Sequence, residues 1–330
     1  MKRLCHFKEP ILDLDNLYLA YCKARRGKQM KKEVLQFAAN LDQNILTMRE
    51  QLESGDFTFG DYRFFTIHDP KERLICAAPF AERVAQHAIM NVCHDAFDRT
   101  LIDTTYASRK GKGVYAALDM ARYGMQHYAY TVKLDVRKYY DSISHSVLRA
   151  RLRRMFKDQW LLSLFDTIID SYGSDGRGLP IGNLVSQYFA NLYLSDLDHR
   201  VKQQWKMPIY IRYMDDILIM SHDKSPLQQT VKELTRYADD ELKLTIKPPI
   251  YRTAKNGQVF LGYKVTPYYI ALSGRSKRRF RSKLLLYEHL YDSGKWDEQN
   301  LASHVLPLVA FAQHAESGKF RESVMNLNRK

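Results

Sequence analysis

The amino-acid sequence predicts an α+β fold in which helices pack against one face of an antiparallel sheet. Three observations carry that expectation. Short runs of β-branched and aromatic character, such as Tyr130–Asp135, alternate with longer stretches whose apolar residues recur at helical spacing. The run 209–220 holds the polar pair Asp215-Asp216 in its middle, which suits a hairpin better than a helix. No internal repeat or low-complexity linker cuts the 330 residues, so a principal domain with an appendage is expected.

The elements follow in order. Over 31–52, Val34, Leu35, Phe37, Ala38, Leu41, Ile45 and Leu46 recur at helical spacing, and Gly55 supplies a stop. Residues 58–66 and 73–77 read as a strand pair across His68-Asp69-Pro70, with a helix over 80–97 behind Pro79. Tyr130–Asp135 reads as a strand that ends at an acid, and helical periodicity returns at 146–155 and 160–172. Gly173, Gly176, Gly178 and Gly182 then break the chain, and 183–201 reads as one long apolar helix. Past the hairpin, 226–242 is expected to be helical and 243–247 and 258–265 to be strands, with a basic helix pair from Ser276 onward.

Composition bounds the function. A chain that is 45% hydrophobic and 12% aromatic is too rich in core-forming side chains to be disordered or fibrous. Lys and Arg number 51 against 37 Asp and Glu, a net charge of +14 that points to a polyanionic partner, nucleic acid before a membrane surface. No run approaches the ~18 apolar residues needed to span a bilayer. The N-terminal MKRLCHFKEP has no apolar core behind its basic residues and does not read as a secretory signal. Cys5, Cys22, Cys76 and Cys93 show neither a CxxC pair nor metal-ligand spacing, so reduced, buried thiols in a cytosolic protein are expected.

The chemistry concentrates on carboxylates. Asp135 ends one strand and Asp215-Asp216 lies between two others. Carboxylates set side by side repel one another, and a cation between them relieves that cost. Hard oxygen ligands suit Mg²⁺, which keeps positions open for substrate phosphates. Two such ions about 3.5–4 Å apart would activate a 3′-hydroxyl and stabilise the leaving oxygen of an in-line phosphoryl displacement. An Asp-Asp pair by itself is also a good turn. The apolar flanks, Tyr213-Met214 and Ile217-Leu218-Ile219, favour a buried site instead. Asp141 reads as a helix cap or a supporting acid.

Tyr213-Met214-Asp215-Asp216 between apolar strands, preceded by Asp135-Val136-Arg137-Lys138-Tyr139-Tyr140, resembles the palm of reverse transcriptases, with further motifs in that family's order over about 60–265. The resemblance implies a right-hand polymerase fold: a basic helical region over 1–56, fingers and palm over 57–270, and a helical thumb over 271–330. It implies that Asp135, Asp215 and Asp216 are catalytic and bind two Mg²⁺, with Val136 in the metal set and Mn²⁺ as a substitute. Tyr140 resembles the aromatic gate that excludes a 2′-hydroxyl. Arg73 and Lys71 resemble the fingers cations that grip the triphosphate of a dNTP, and Lys247 the lysine beside the departing pyrophosphate. Phe260-Leu261-Gly262-Tyr263 resembles the primer grip, while Tyr213, Met214 and Arg109, with Lys110, would line primer and template. Arg275, Arg278 and Arg279, together with Lys277, Arg281 and Lys283, resemble a thumb helix that rides the primer-template duplex through its phosphates.

One segment departs from the common pattern. In Leu179-Pro180-Ile181-Gly182-Asn183-Leu184-Val185-Ser186-Gln187, Ile181 stands where most of the family has glutamine and Gln187 where it has proline. Gly182 still lets backbone approach a nucleotide. This I-G-x-x-x-S-Q form is similar to the reverse transcriptases of diversity-generating retroelements. That resemblance implies error-prone copying of a template-repeat RNA, with errors at template adenines, and a small basic accessory protein as partner. An apolar Ile181 donates no hydrogen bond, which relaxes geometric checking of the nascent pair. The competing readings are another bacterial reverse transcriptase from a retron, group II intron or phage-defence system, an RNA-dependent RNA polymerase, and an RNA-binding scaffold with an inactive palm. No nuclease segment is expected after residue 330, so target cutting and RNA removal are expected to come from elsewhere.

Overall fold

A computed structural model describes residues 3–68 and 72–325, which fall into two compact units, each built from discontinuous stretches of chain. The first unit comprises Met1–Ile102, Val136–Arg200 and Thr235–Thr245. It is mainly helical. Asp13 caps the helix Leu14–Ala24 by accepting the Asn16 N–H. That helix buries Leu17, Ala20, Tyr21 and Ala24, leaving Cys22 exposed between them, whereas Cys76 and Cys93 are buried as expected.

The periodic stretch 31–52 forms two helices, Lys32–Ala39 and Leu41–Ser54, rather than one. Asn40 leaves the helical region at φ −129°, ψ 50°, and the Asn44 side chain donates to the Phe37 carbonyl across the break at 2.9 Å. Gly55 ends the second helix at φ +87°, as its position predicts. Strands β1 (Arg63–Ile67) and β2 (Arg73–Ala77) pair antiparallel, with Arg63 opposite Ala77. Asp69, Pro70 and Lys71, between them, lie outside the described residues. The helix Phe80–Asp98 ends in an aromatic core, where Phe97 lies 5.7 Å from Phe156 and 6.1 Å from both Phe165 and Phe189. The long helix expected over 183–201 is interrupted: Leu184–Tyr193 and Ser195–His199 meet at Leu194, where the Ser195 hydroxyl takes the Leu192 carbonyl at 2.8 Å.

The second unit comprises Asp103–Asp135, Val201–Leu234 and Ile246–Lys330. Its main sheet contains β3 (Tyr130–Asp135), β4 (Ile209–Tyr213), β5 (Asp216–Ser221) and β6 (Ile250–Thr253), in the order β4-β5-β3-β6 with every pair antiparallel. The helix Val114–His127 covers this sheet: Leu118, Ala121 and Met125 share a core with Ile211, Leu218 and Met220. Gly124 permits the close approach, because a Cβ there would lie 2.5 Å from the Met220 sulfur. The segment 243–247 is not a strand. Lys247 donates its N–H to the Asp135 carbonyl at 2.9 Å, and the only ladder contact is an isolated bridge at Ile246.

A second sheet is the meander β7 (Gln258–Phe260), β8 (Tyr263–Val265) and β9 (Ile270–Leu272). The run 258–265 divides because Leu261 and Gly262 both take positive φ, +48° and +88°. Three helices follow rather than two: Gly274–Asp292, capped by Ser273, then Glu298–Gln313 and Gly318–Met325. The first buries Phe280 and Leu284 and exposes Arg275, Lys277, Arg278, Arg279 and Arg281. Among the described residues no helix is long and apolar enough to cross a membrane.

Candidate functional site

The hairpin of β4 and β5 turns in two residues, with Tyr213 paired to Asp216 and Met214-Asp215 at the tip. Met214 takes φ +51°. Positive φ in such a turn matches the twist of the flanking strands, yet it strains any residue other than glycine. Antiparallel pairing of β3 with β5 sets Asp216 directly opposite Asp135. Side chains alternate along a strand, so Lys133 shares a face with Asp135. Its ammonium lies 2.8 Å from the Asp216 Oδ1, as a charge pair rather than a well-oriented hydrogen bond. Lys247 pairs with the Asp135 Oδ1 and also donates a hydrogen bond to it. The sequence reading missed Lys133; its two-residue spacing from Asp135 was the available signal.

Burial pushes the Asp215 carboxyl up to about 6, and the negative charges of Asp216 and Asp135 add to that, while its own backbone N–H and Lys247 oppose it. These oxygens are the donors a hard divalent cation takes. Among the described residues, no three His, Cys, Asp or Glu side chains are gathered closely enough to hold a metal as they stand. Asp135 and Asp216 are instead turned to the two ammonium groups. The donor chemistry fits such an ion, and binding would exchange lysine for metal. Val136 is buried and apolar, so only its backbone carbonyl is available as a donor.

Of the other residues of the second unit, Tyr213 and Met214 lie on the hairpin itself and the rest lie on other elements or loops. Arg109 folds back on its own loop, donating to the Thr105 carbonyl at 3.2 Å and to the Thr105 hydroxyl at 2.9 Å. The Leu261-Gly262 turn is clamped, with the Gly262 carbonyl accepting from the Ser276 hydroxyl at 2.6 Å and from the Ser273 N–H at 3.1 Å. Tyr263 is fully buried, and its hydroxyl donates to the Phe311 carbonyl at 2.7 Å. Tyr213 and Met214 are half-buried, and Arg275, Arg278 and Arg279 stand exposed along one helix.

In the first unit, the two adjacent tyrosines divide their roles. Tyr139 is buried and donates to the Ala190 carbonyl at 2.5 Å, while Tyr140 is half-exposed and accepts the Leu179 N–H at its carbonyl. The segment after Leu179 lies against β2, where the Ile181 carbonyl accepts the Cys76 N–H at 2.8 Å. Gly182 takes φ +117°, and a Cβ there would lie 3.0 Å from the Cys76 carbonyl oxygen. Arg73 is exposed at the start of the same strand, and Gln187 is half-buried on the helix beyond. Asp141 lies inside the short helix Tyr139–Ser142 and does not cap it.

A buried polar chain supports this segment and gave no signal in the sequence reading. The Leu184 N–H donates to the Gln86 side chain at 2.9 Å, Gln86 donates to Glu82, and Glu82 also accepts the Gly60 N–H at 3.1 Å. Burial pushes the Glu82 carboxyl up.

A carboxylate-bearing hairpin beside a strand-end aspartate, on an antiparallel sheet covered by a helix, marks an α+β nucleic-acid polymerase fold. The chain belongs to the reverse transcriptase (RNA-dependent DNA polymerase) family, whose model matches residues 68–265, more than half of its length. The putative COX1/OXI3 intron 1 protein of Saccharomyces cerevisiae is 23% identical over 200 residues, covering 57% of this chain and 24% of that protein. The group II intron-encoded protein LtrA of Lactococcus lactis is 22% identical over 271 residues, covering 74% of this chain and 45% of its own. The chain thus spans about a quarter of the yeast relative and under half of LtrA. Among solved structures, the apo telomerase of Candida tropicalis superposes with a TM-score of 0.52 at 12% identity, over 76% of this chain and 57% of that one, a likeness of fold.

Proposed function

We propose that the protein is an RNA-templated DNA polymerase that extends a primer with dNTPs, and that Asp135, Asp215 and Asp216 carry the reaction. The observation that carries this reading is the strand register that sets Asp216 opposite Asp135, one residue past the Met214-Asp215 turn. In the transfer, the primer 3′-oxygen attacks the α-phosphorus of a dNTP as the bond to pyrophosphate breaks. Asp135, Asp215 and Asp216, with the Val136 carbonyl, would hold Mg²⁺ or Mn²⁺. The ion would supply charge neutralisation and acidify the 3′-hydroxyl. Lys247, which pairs with Asp135, would release it to that ion and then neutralise the leaving group. Tyr140 would select deoxynucleotides, and Lys71, Arg73, Ile181, Gly182 and Gln187 would seat the incoming nucleotide.

Residues 57–270 would serve as fingers and palm and 271–330 as a thumb, whose exposed arginines suit a phosphate backbone. Residues 1–56 would form a basic helical region. Ile181 and Gln187 around Gly182 support the retroelement reading: lowered fidelity at template adenines, a template-repeat RNA, mutagenic retrohoming and a small basic accessory protein. The intron-encoded relatives favour a second reading, an intron-type reverse transcriptase. Primer extension on an RNA template containing all four bases, with the product sequenced and Asp215→Ala/Asp216→Ala as control, tests both. DNA from the wild type alone with errors opposite adenine is the expected result. Faithful DNA would favour the intron-type reading, and equal product from the control would overturn the assignment of the acids.

A further inference from the structure

Arg212 is the largest fully buried side chain among the described residues. A guanidinium is costly to place inside a sheet, so its position demands a use. It stands on β4 just before the Met214-Asp215 turn. Its backbone is fixed on both edges: it pairs with Ile217 of β5, its N–H donates to the Thr104 carbonyl at 3.0 Å, and its carbonyl accepts the Tyr106 N–H at 2.9 Å. From that platform its Nη1 donates to the Met214 carbonyl at 3.2 Å. Met214 is the residue held at φ +51°. The peptide that carries this carbonyl also carries the Asp215 N–H, so its orientation sets where the Asp215 side chain leaves the backbone.

We propose that Arg212 is a positioning residue that locks the left-handed Met214 turn through its carbonyl and so aims Asp215, a role that rests on the polymerase reading above. A charged donor makes a stronger hydrogen bond than a neutral one, and this one is partly buried. The planar fork matters, because a lysine offers a compact ammonium on a differently shaped stem. Arg212 has no route to substrate, being fully enclosed, so its loss lowers turnover rather than substrate binding.

The test uses the full chain with Arg212→Lys and Arg212→Gln, steady-state primer extension on an RNA template, Mg²⁺ titration, and thermal melts as a folding control. Loss of the bond to the Met214 carbonyl predicts a fall in kcat of roughly tenfold or more for Arg212→Gln and less for Arg212→Lys. KM for dNTP stays within about twofold and half-saturation by Mg²⁺ rises. Met214→Gly accepts positive φ without strain, so adding it to Arg212→Lys reduces the loss. Wild-type kcat and Mg²⁺ dependence in folded variants would overturn the proposal, as would losses that only track the unfolded fraction. If neither variant folds, or if the wild type makes no DNA, hydrogen exchange of the wild-type 209–221 segment decides independently of activity. Protection of 214–216 equal to that of β4 supports the lock, and exchange at the rate of a free loop sinks it.

Discussion

Replacing Gly182 by alanine tests the segment on which the nucleotide reading rests. At φ +117° the backbone lies beyond even the left-handed helical well, a conformation that costs a side-chain-bearing residue about 1–3 kcal/mol. The new Cβ would stand 3.0 Å from the Cys76 carbonyl oxygen and 3.2 Å from the Ile75 side chain, so β2 must give by a few tenths of an ångström. The 2.8 Å bond from the Cys76 N–H to the Ile181 carbonyl ties the two segments together, and weakening it costs ~0.5–1.5 kcal/mol more. The sum is about 2–4 kcal/mol, or a Tm lowered by roughly 5–15 °C. Gly176→Ala is the control. It lies at φ +69° with no atom within 4 Å of an added Cβ, so it loses only about 1–2 kcal/mol. Thermal denaturation of both variants reads the difference. If Gly182→Ala melts with Gly176→Ala, the close approach to β2 does not constrain this position and the reasoning fails.

Lys133→Met removes the ammonium from Asp216. Both partners are partly exposed, so stability should change by no more than ~1 kcal/mol. The Mg²⁺ concentration that half-saturates primer extension should fall, because the carboxylate no longer has to exchange a lysine; a rise would show that Lys133 assists the reaction directly. Glu82→Gln addresses pH. Burial raises the Glu82 carboxyl above its unfolded value, so the wild type holds this contribution at low pH and loses it as pH rises through the folded-state value. The variant's Tm relative to wild type should therefore increase from acid to neutral pH, and a difference independent of pH would reject the burial argument.

Much of the site was legible in the sequence because it depends on local order. Asp215 and Asp216 sit at or beside a hairpin turn whose apolar flanks show period and length, and β3 ends at Asp135 as its composition indicates. The helix 80–97 and the strand pair expected over 58–66 and 73–77 were legible for the same reason, although β1 begins only at Arg63. The failures have local causes too. The 31–52 and 183–201 stretches keep their apolar period across breaks made by Asn40 and by the Ser195 hydroxyl, which hydropathy does not register. The helix Val114–His127 and strands β6 and β9 escaped notice, being short or interrupted by glycine and polar residues.

Element type, the net positive charge and the positions of the acids are properties of residue order and composition, and the chain carries them without being folded. Register is different. That Asp216 faces Asp135, that Lys133 and Lys247 each neutralise one of them, and that burial lifts Asp215 depend on strands far apart in sequence coming together. The same holds for Arg212, whose side chain is fully buried only in the folded chain. Charge and hydropathy are written residue by residue, whereas burial and pairing belong to contacts that exist only in the folded chain.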